Sequence, residues 1–186
     1  MYKRQEQSHL AIGYPGINWA DHDRPALDVL IHILGGHGGR LFRKLRDRDS
    51  LAYTVSPMIS YGQHPGAVGS YIACAPAKVE KALSSLINEM AAMATDLVTT
   101  DELSRARNYI IGSHEIDLQR CDSQAMTMAL MELYGIGYDD YRRYGNSIAQ
   151  VTQKDVHRVA SRLLVDSRRS EVVVGSGVSK LLKIQE

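Results

Sequence analysis

Apolar and polar residues alternate from residue 7 to residue 13, which predicts a strand, and Tyr14-Pro15-Gly16 follows as a turn signal. The spacing then becomes helical. Leu27, Leu30, Ile31 and Leu34 share one face, with Asp21 expected as the cap and Asp23 in the first turn. Pro25 stands where a missing N–H costs little, and Gly35-Gly36 provides the stop. A short helix is expected over about Arg40 to Arg48, then a strand carrying Tyr53. Tyr61-Gly62-Gln63-His64-Pro65-Gly66 reads as a hairpin loop returning as a strand from Val68 to Cys74. Pro76 opens a longer helix striped by Val79, Leu83, Leu86, Met90 and Leu97, with Ala82 and Ala94 filling small contacts. Thr99-x-x-Glu102 is a capping box for a helix reaching about Arg120. Three more helices are expected: about Ser123 to Leu133, Tyr138 to Ala149, and from the cap Thr152 through Leu164 with Asp155 in its first turn. Glu171-Val172-Val173-Val174-Gly175 reads as a β-branched closing strand, expected in a central position.

The order β-α-α-β-β-α-α-α-α-α-β implies an α+β fold, an antiparallel-biased mixed sheet with helices packed on one face. No internal repeat or Pro/Ser-rich linker divides the chain, so residues 1–186 are expected to form a single domain. Its 44% apolar residues suffice for a core, and its 23% charged residues suit a soluble surface. With a net charge of +1, no global field recruits nucleic acid or anionic membrane. The run Arg40, Arg43, Lys44, Arg46, Arg48 is interrupted by Asp47 and Asp49 and lacks the aromatic interleaving that stacks bases, so no nucleic-acid partner is expected. No apolar run approaches the ~20 residues of a membrane span, and residues 2–7 are too polar for a signal-peptide core. Cys74 and Cys121 are expected as two buried thiols, and Met126, Met128 and Met131 as adaptable core.

Catalytic constellations are largely missing. His32 and His37 have the wrong helical offset for a shared metal, and His114-Glu115 has no second histidine one turn away. His9, His22, His64 and His157 are isolated, so no metal ligands are expected. Gly35-Gly36-His37-Gly38-Gly39 lacks the Lys-Ser/Thr of a P-loop and reads as a helix–helix turn. Glu89, Asp96, Asp101 and Glu102 read as capping or solvated acids at helix ends. What remains is Arg46, near a helix terminus, and Tyr53, near a strand start. A guanidinium can hold a carboxylate or carbonyl, and a phenol can donate to a developing oxyanion.

Gly38-Gly39-Arg40-Leu41-Phe42, then Leu45-Arg46 and Leu51-Ala52-Tyr53, resemble the Gly-rich turn, "RLF" helix and "R…LAY" segment of the pitrilysin/insulinase-type zinc peptidase family. The segment from Gln7 to Gly16, Ala75-Pro76 with Lys78-Val79-Glu80, Thr100 to Arg107, Glu132-Leu133-Tyr134-Gly135 and Val151 to Val156 continue the resemblance in the same order. It covers a core of about residues 7–176 and is to the family's second, zinc-free half. This resemblance implies a half-domain of the mitochondrial-processing-peptidase type, inactive alone. Zinc, held by an inverted His-x-x-Glu-His motif, is expected only in a partner half, either upstream on the same chain or on a separate subunit. It further implies that Arg46 holds the main-chain carbonyl or carboxylate of a peptide substrate and that Tyr53 acts in trans as the catalytic oxyanion donor. A bacterial-type protein of periplasm or cytoplasm is implied, and self-association of the chain as a homodimer through an uncovered face is expected. Two other readings compete: a non-catalytic scaffold or assembly subunit of the same family, and an unrelated small-molecule binding module. Ser50 departs from the family pattern, which commonly has Gly before Leu-Ala-Tyr. If that position needs a positive φ, Ser costs on the order of 1 kcal/mol there.

Overall fold

A computed structural model of the chain describes residues 7–36 and 38–175. Strand β1 (Ser8–Pro15) buries Leu10, Ile12 and Tyr14 on one face, as its alternation requires. Helix α1 (Arg24–Leu34) follows, then a π-helical segment (Phe42–Arg48). Next come the hairpin strands β2 (Ala52–Ser60) and β3 (Ala67–Cys74). Five helices come before the last strand: α2 (Val79–Thr95), α3 (Thr100–Asp117), α4 (Cys121–Leu133), α5 (Tyr141–Gln150) and α6 (Gln153–Leu163). Strand β4 (Ser170–Val174) closes the sheet. The strand order is β2-β3-β1-β4 and every pairing is antiparallel, so the fold is α+β.

Leu10, Ile12 and Ile72 of the sheet pack into one apolar cluster with Leu27, Leu30 and Leu34 of α1, Leu86, Met90 and Met93 of α2, and Val156 and Val159 of α6. Capping boxes open α3 and α6. Thr99 and Glu102 bond reciprocally at the first, as Thr152 and Asp155 do at the second.

Several local expectations fail for identifiable reasons. Among the described residues strand β4 pairs only with β1 and lies at a sheet edge, with Val172 and Val174 exposed and Val173 against the core. A valine run reports β propensity, not position in a sheet. Asp21 does not cap α1. Asp23 occupies that position, and the Asp21 carboxylate accepts the Asp23 N–H at 2.9 Å. The buried Asp23 carboxylate is instead held by Arg158 at 2.5 Å and Arg162 at 2.6 Å, tying the start of α1 to α6. Helix α2 stops at Thr95, leaving Leu97 outside it and exposed. Cys74 is buried, but Cys121 is exposed at the start of α4. Of the three methionines on α4, Met131 is buried while Met126 faces solvent. Among the described residues no helix is long and apolar enough to cross a membrane.

Candidate functional site

The basic run from Arg40 to Arg48 is fastened by acids that the sequence reading placed elsewhere. Arg40 grips Glu102 with two bonds of 2.8 Å, and Arg43 reaches the same carboxylate at 3.5 Å. Lys44 pairs with Glu89, which is buried in the middle of α2 rather than capping a helix end. Arg48 bonds the neighbouring Asp49 at 2.9 Å. Leu41 and Leu45 insert into the core from the same segment. Arg46 is the exception. It is exposed, and among the described residues no carboxylate pairs with it.

The segment winds as a π-helix, with the Asp49 N–H reaching back five residues to the Lys44 carbonyl at 3.0 Å. The Leu51 N–H closes the exit onto the Leu45 carbonyl at 2.8 Å. Between them Ser50 turns at φ +48°, the only non-glycine among the described residues with positive φ. The family's usual glycine therefore has a physical reason, and Ser50 holds a left-handed conformation that costs an L-residue roughly 1–2 kcal/mol. Ser50→Gly is expected to stabilise the chain by about 0.5–1 kcal/mol, read in denaturant melts as a raised midpoint with unchanged slope. A lowered midpoint would mean the Ser50 side chain contributes contacts that outweigh this strain.

Strand β2 begins with a bulge. Ala52 pairs with Cys74 and Thr54 with Ala73, leaving Tyr53 without a partner on β3. Such bulges re-aim a side chain out of the ladder. Tyr53 is 74% exposed. Its ring lies 5.7 Å from the Arg46 guanidinium carbon, and the Phe42 ring lies 4.6 Å from the same carbon. The structure thus brings Arg46 and Tyr53 together on one exposed surface and adds Phe42, four positions before Arg46. The sequence places Phe42 in the motif but not among the site residues, although its spacing four positions before Arg46 was available as a signal. Both rings lie within cation–π distance of the guanidinium, whose N–H groups can still donate to oxygens. Among the described residues neither Arg46 nor the Tyr53 hydroxyl has a hydrogen-bond partner, so both can donate to a ligand.

The Arg40 guanidinium, together with the Thr99 backbone and hydroxyl, holds the Glu102 carboxyl down at about 2 despite its burial. The pair is a fixed brace for the segment that carries Arg46. Gly39 serves the same turn, because a Cβ there would meet the Gly35 carbonyl oxygen at 1.9 Å. His37, named above in the glycine-rich turn, lies outside the described residues.

Zinc does not fit this chain's described residues. Asp21, His22 and Asp23 bring ligand atoms within 4.8 Å of one another. Arg162 is 3.0 Å from the Asp21 carboxylate, and Asp23 is held by two arginines, so the carboxylates are already neutralised. Two neutralised carboxylates and one exposed imidazole are a poor donor set for this metal.

Residues 1–110 match the family model described as the peptidase M16 inactive domain. The chain belongs to the peptidase M16 family. This is the pitrilysin/insulinase-type family named from the sequence, and the match is to its inactive domain. A zinc protease of Streptomyces coelicolor is 33% identical over 177 residues, covering 93% of this chain and 38% of the relative. One from Mycobacterium leprae is 29% identical over 180 residues, 94% of this chain and 39% of the relative. The alpha subunit of the mitochondrial processing peptidase of Caenorhabditis elegans is 26% identical over 191 residues. The chain spans about 40% of the length of these curated relatives. The M16 inactive domain from Pseudomonas fluorescens superposes with a TM-score of 0.85 at 20% identity, over 93% of this chain and 42% of that one. The inactive peptidase domain from Bordetella parapertussis gives 0.82 at 20% identity, over 94% and 95%. At such identities the structural likeness concerns the fold alone.

Proposed function

We propose that this M16 inactive domain is the substrate-holding half of a zinc metalloendopeptidase and supplies Arg46 and Tyr53 to an active site completed by a zinc-bearing half. The observation that carries this reading is the placement of the pair. A guanidinium and a phenol, neither with a hydrogen-bond partner among the described residues, sit side by side, presented by a π-helical turn and a β-bulge braced from below by Glu102 and Glu89. A chain folded only for stability has no need to hold two donors exposed on such irregular backbone.

Each residue has a distinct chemical part. Arg46 donates from its N–H groups to the main-chain carbonyl or carboxylate of an extended peptide, fixing the substrate before reaction. Tyr53 points its O–H at the carbonyl oxygen as negative charge develops there during hydrolysis. A zinc ion in the other half would polarise that carbonyl and activate water. Neither Arg46 nor Tyr53 is a base or a nucleophile, so the half is expected to be inactive alone. Its relation to a zinc-bearing half, on the same polypeptide or another, is part of this proposal.

Arg46→Ala in the complete protease tests the substrate-holding role. A charge-assisted contact already made in the ground state is worth about 1.5–3 kcal/mol, so KM should rise roughly 10- to 100-fold while kcat changes little. Unchanged KM in a correctly folded variant would remove Arg46 from the site. The scaffold reading predicts that outcome, together with intact assembly.

A further inference from the structure

A second concave site lies away from Arg46 and Tyr53. Tyr61 follows β2 eight residues after Tyr53, a separation on the order of 25 Å along a strand. There, between α1, α4 and α5, is a cavity of about 250 Å³. Trp19, Tyr61, Tyr141 and Tyr144 form much of its wall, four of the twelve aromatic residues in the chain (Trp 1, Tyr 10, Phe 1).

The charged lining is unevenly compensated. Arg24 pairs with Asp140 at 2.6 Å, and Arg143 reaches the same carboxylate at 3.9 Å. Asp28 has no such partner among the described residues. One carboxylate oxygen accepts the Tyr61 hydroxyl at 2.7 Å and the other accepts the Tyr144 hydroxyl at 2.8 Å. Two neutral phenols orient the carboxylate without neutralising it. Burial pushes the Asp28 carboxyl above the usual carboxylate range despite these bonds and the opposing pull of Arg24 and His32, so a cation placed beside it would favour its ionised form. His114 sits at the rim with Nε2 2.8 Å from the Tyr141 carbonyl oxygen and its ring edge-on to Tyr144.

The same walls already hold one cation. The Arg24 guanidinium carbon lies 5.3 Å from the Trp19 ring and 5.4 Å from the Tyr144 ring. Trp19 is itself held between Tyr61 at 5.0 Å and Tyr134 at 5.5 Å, so the aromatic surface is rigid. An oriented carboxylate beside aromatic faces is the chemistry that recognises an organic ammonium.

We propose that this cavity binds an alkylammonium head group, with Asp28 as its counter-charge and Trp19 and Tyr61 as its walls. The site is independent of Arg46 and Tyr53, and its failure would leave the peptidase reading untouched.

Trp19 is the only tryptophan in the 186 residues, so its fluorescence reports the cavity directly. Titration of the chain with tetramethylammonium chloride, against sodium chloride at equal ionic strength, should give a saturable change with a midpoint on the order of 1–10 mM. Neutral tert-butanol, of similar shape, should give none. Asp28→Asn keeps one of the two acceptor oxygens used by the tyrosines but removes the charge, and should weaken binding about tenfold or more. Cadaverine and Nα-acetyl-lysine amide separate a free amine from a lysine side chain, the tighter of the two naming the source. No saturable response to tetramethylammonium, or an equal response to tert-butanol, overturns the proposal using the wild-type chain alone. Unchanged affinity in a folded Asp28→Asn variant overturns it as well.

Discussion

Tyr53→Phe in the complete protease is expected to lower kcat by roughly 10²–10³ while leaving the stability of this half almost unchanged. Removing one preorganised oxyanion donor typically costs about 2.7–4 kcal/mol in the transition state. The ring is 74% exposed, and its hydroxyl bonds to nothing among the described residues, so the folded state loses no internal contact of that oxygen. The ring itself, and its place beside the Arg46 guanidinium, are retained in phenylalanine. KM should move little, because the bond forms mainly as charge develops. A variant with wild-type kcat would show that Tyr53 only packs beside Arg46.

The second large effect concerns the brace beneath the site. Glu102→Gln should destabilise the fold by about 3–5 kcal/mol, the cost of breaking a buried ion pair by removing one partner. Glutamine still serves the capping box at the start of α3, so the loss reports the bonds from Arg40 rather than the helix cap. The pH dependence gives an independent reading. The folded carboxyl is depressed from 4.5 to about 2, so its contribution is fully present above the unfolded value. It is lost as pH falls through the folded value. The shift corresponds to about 3 kcal/mol between pH 5 and pH 2. Urea melts across that range should show the slope in wild type and a shallower one in Glu102→Gln. Parallel slopes would mean that other carboxylates carry the acid sensitivity.

Arg46 and Tyr53 were legible as candidates because the order of motifs around them was legible, not because either residue is distinctive. The helices came through where periodicity was long and capped, as at Thr99-Glu102 and Thr152-Asp155. Ser50 was readable in the same way: an L-residue in a glycine's place raised the question of φ, and the turn is indeed left-handed. The π-winding and the bulge were not readable, since both depend on how the chain closes between Leu45 and β3 rather than on residue type. Glu89 was misjudged because its partner Lys44 is 45 residues away, beyond any local pattern. Asp28 was never singled out, because a lone acid on an apolar helix face gives no sign of the tyrosines that reach it from β2's end and from α5. Edge placement of β4 likewise follows from chain tracing, not from its valines.

The central claim is that this half holds substrate but no metal, and zinc stoichiometry tests it most directly. The purified chain, dialysed and analysed for metal, should carry no stoichiometric zinc, whereas the complete protease should retain about one per molecule. About one tightly bound zinc on the isolated chain would contradict the claim, because no group of the described residues offers a free donor set for it.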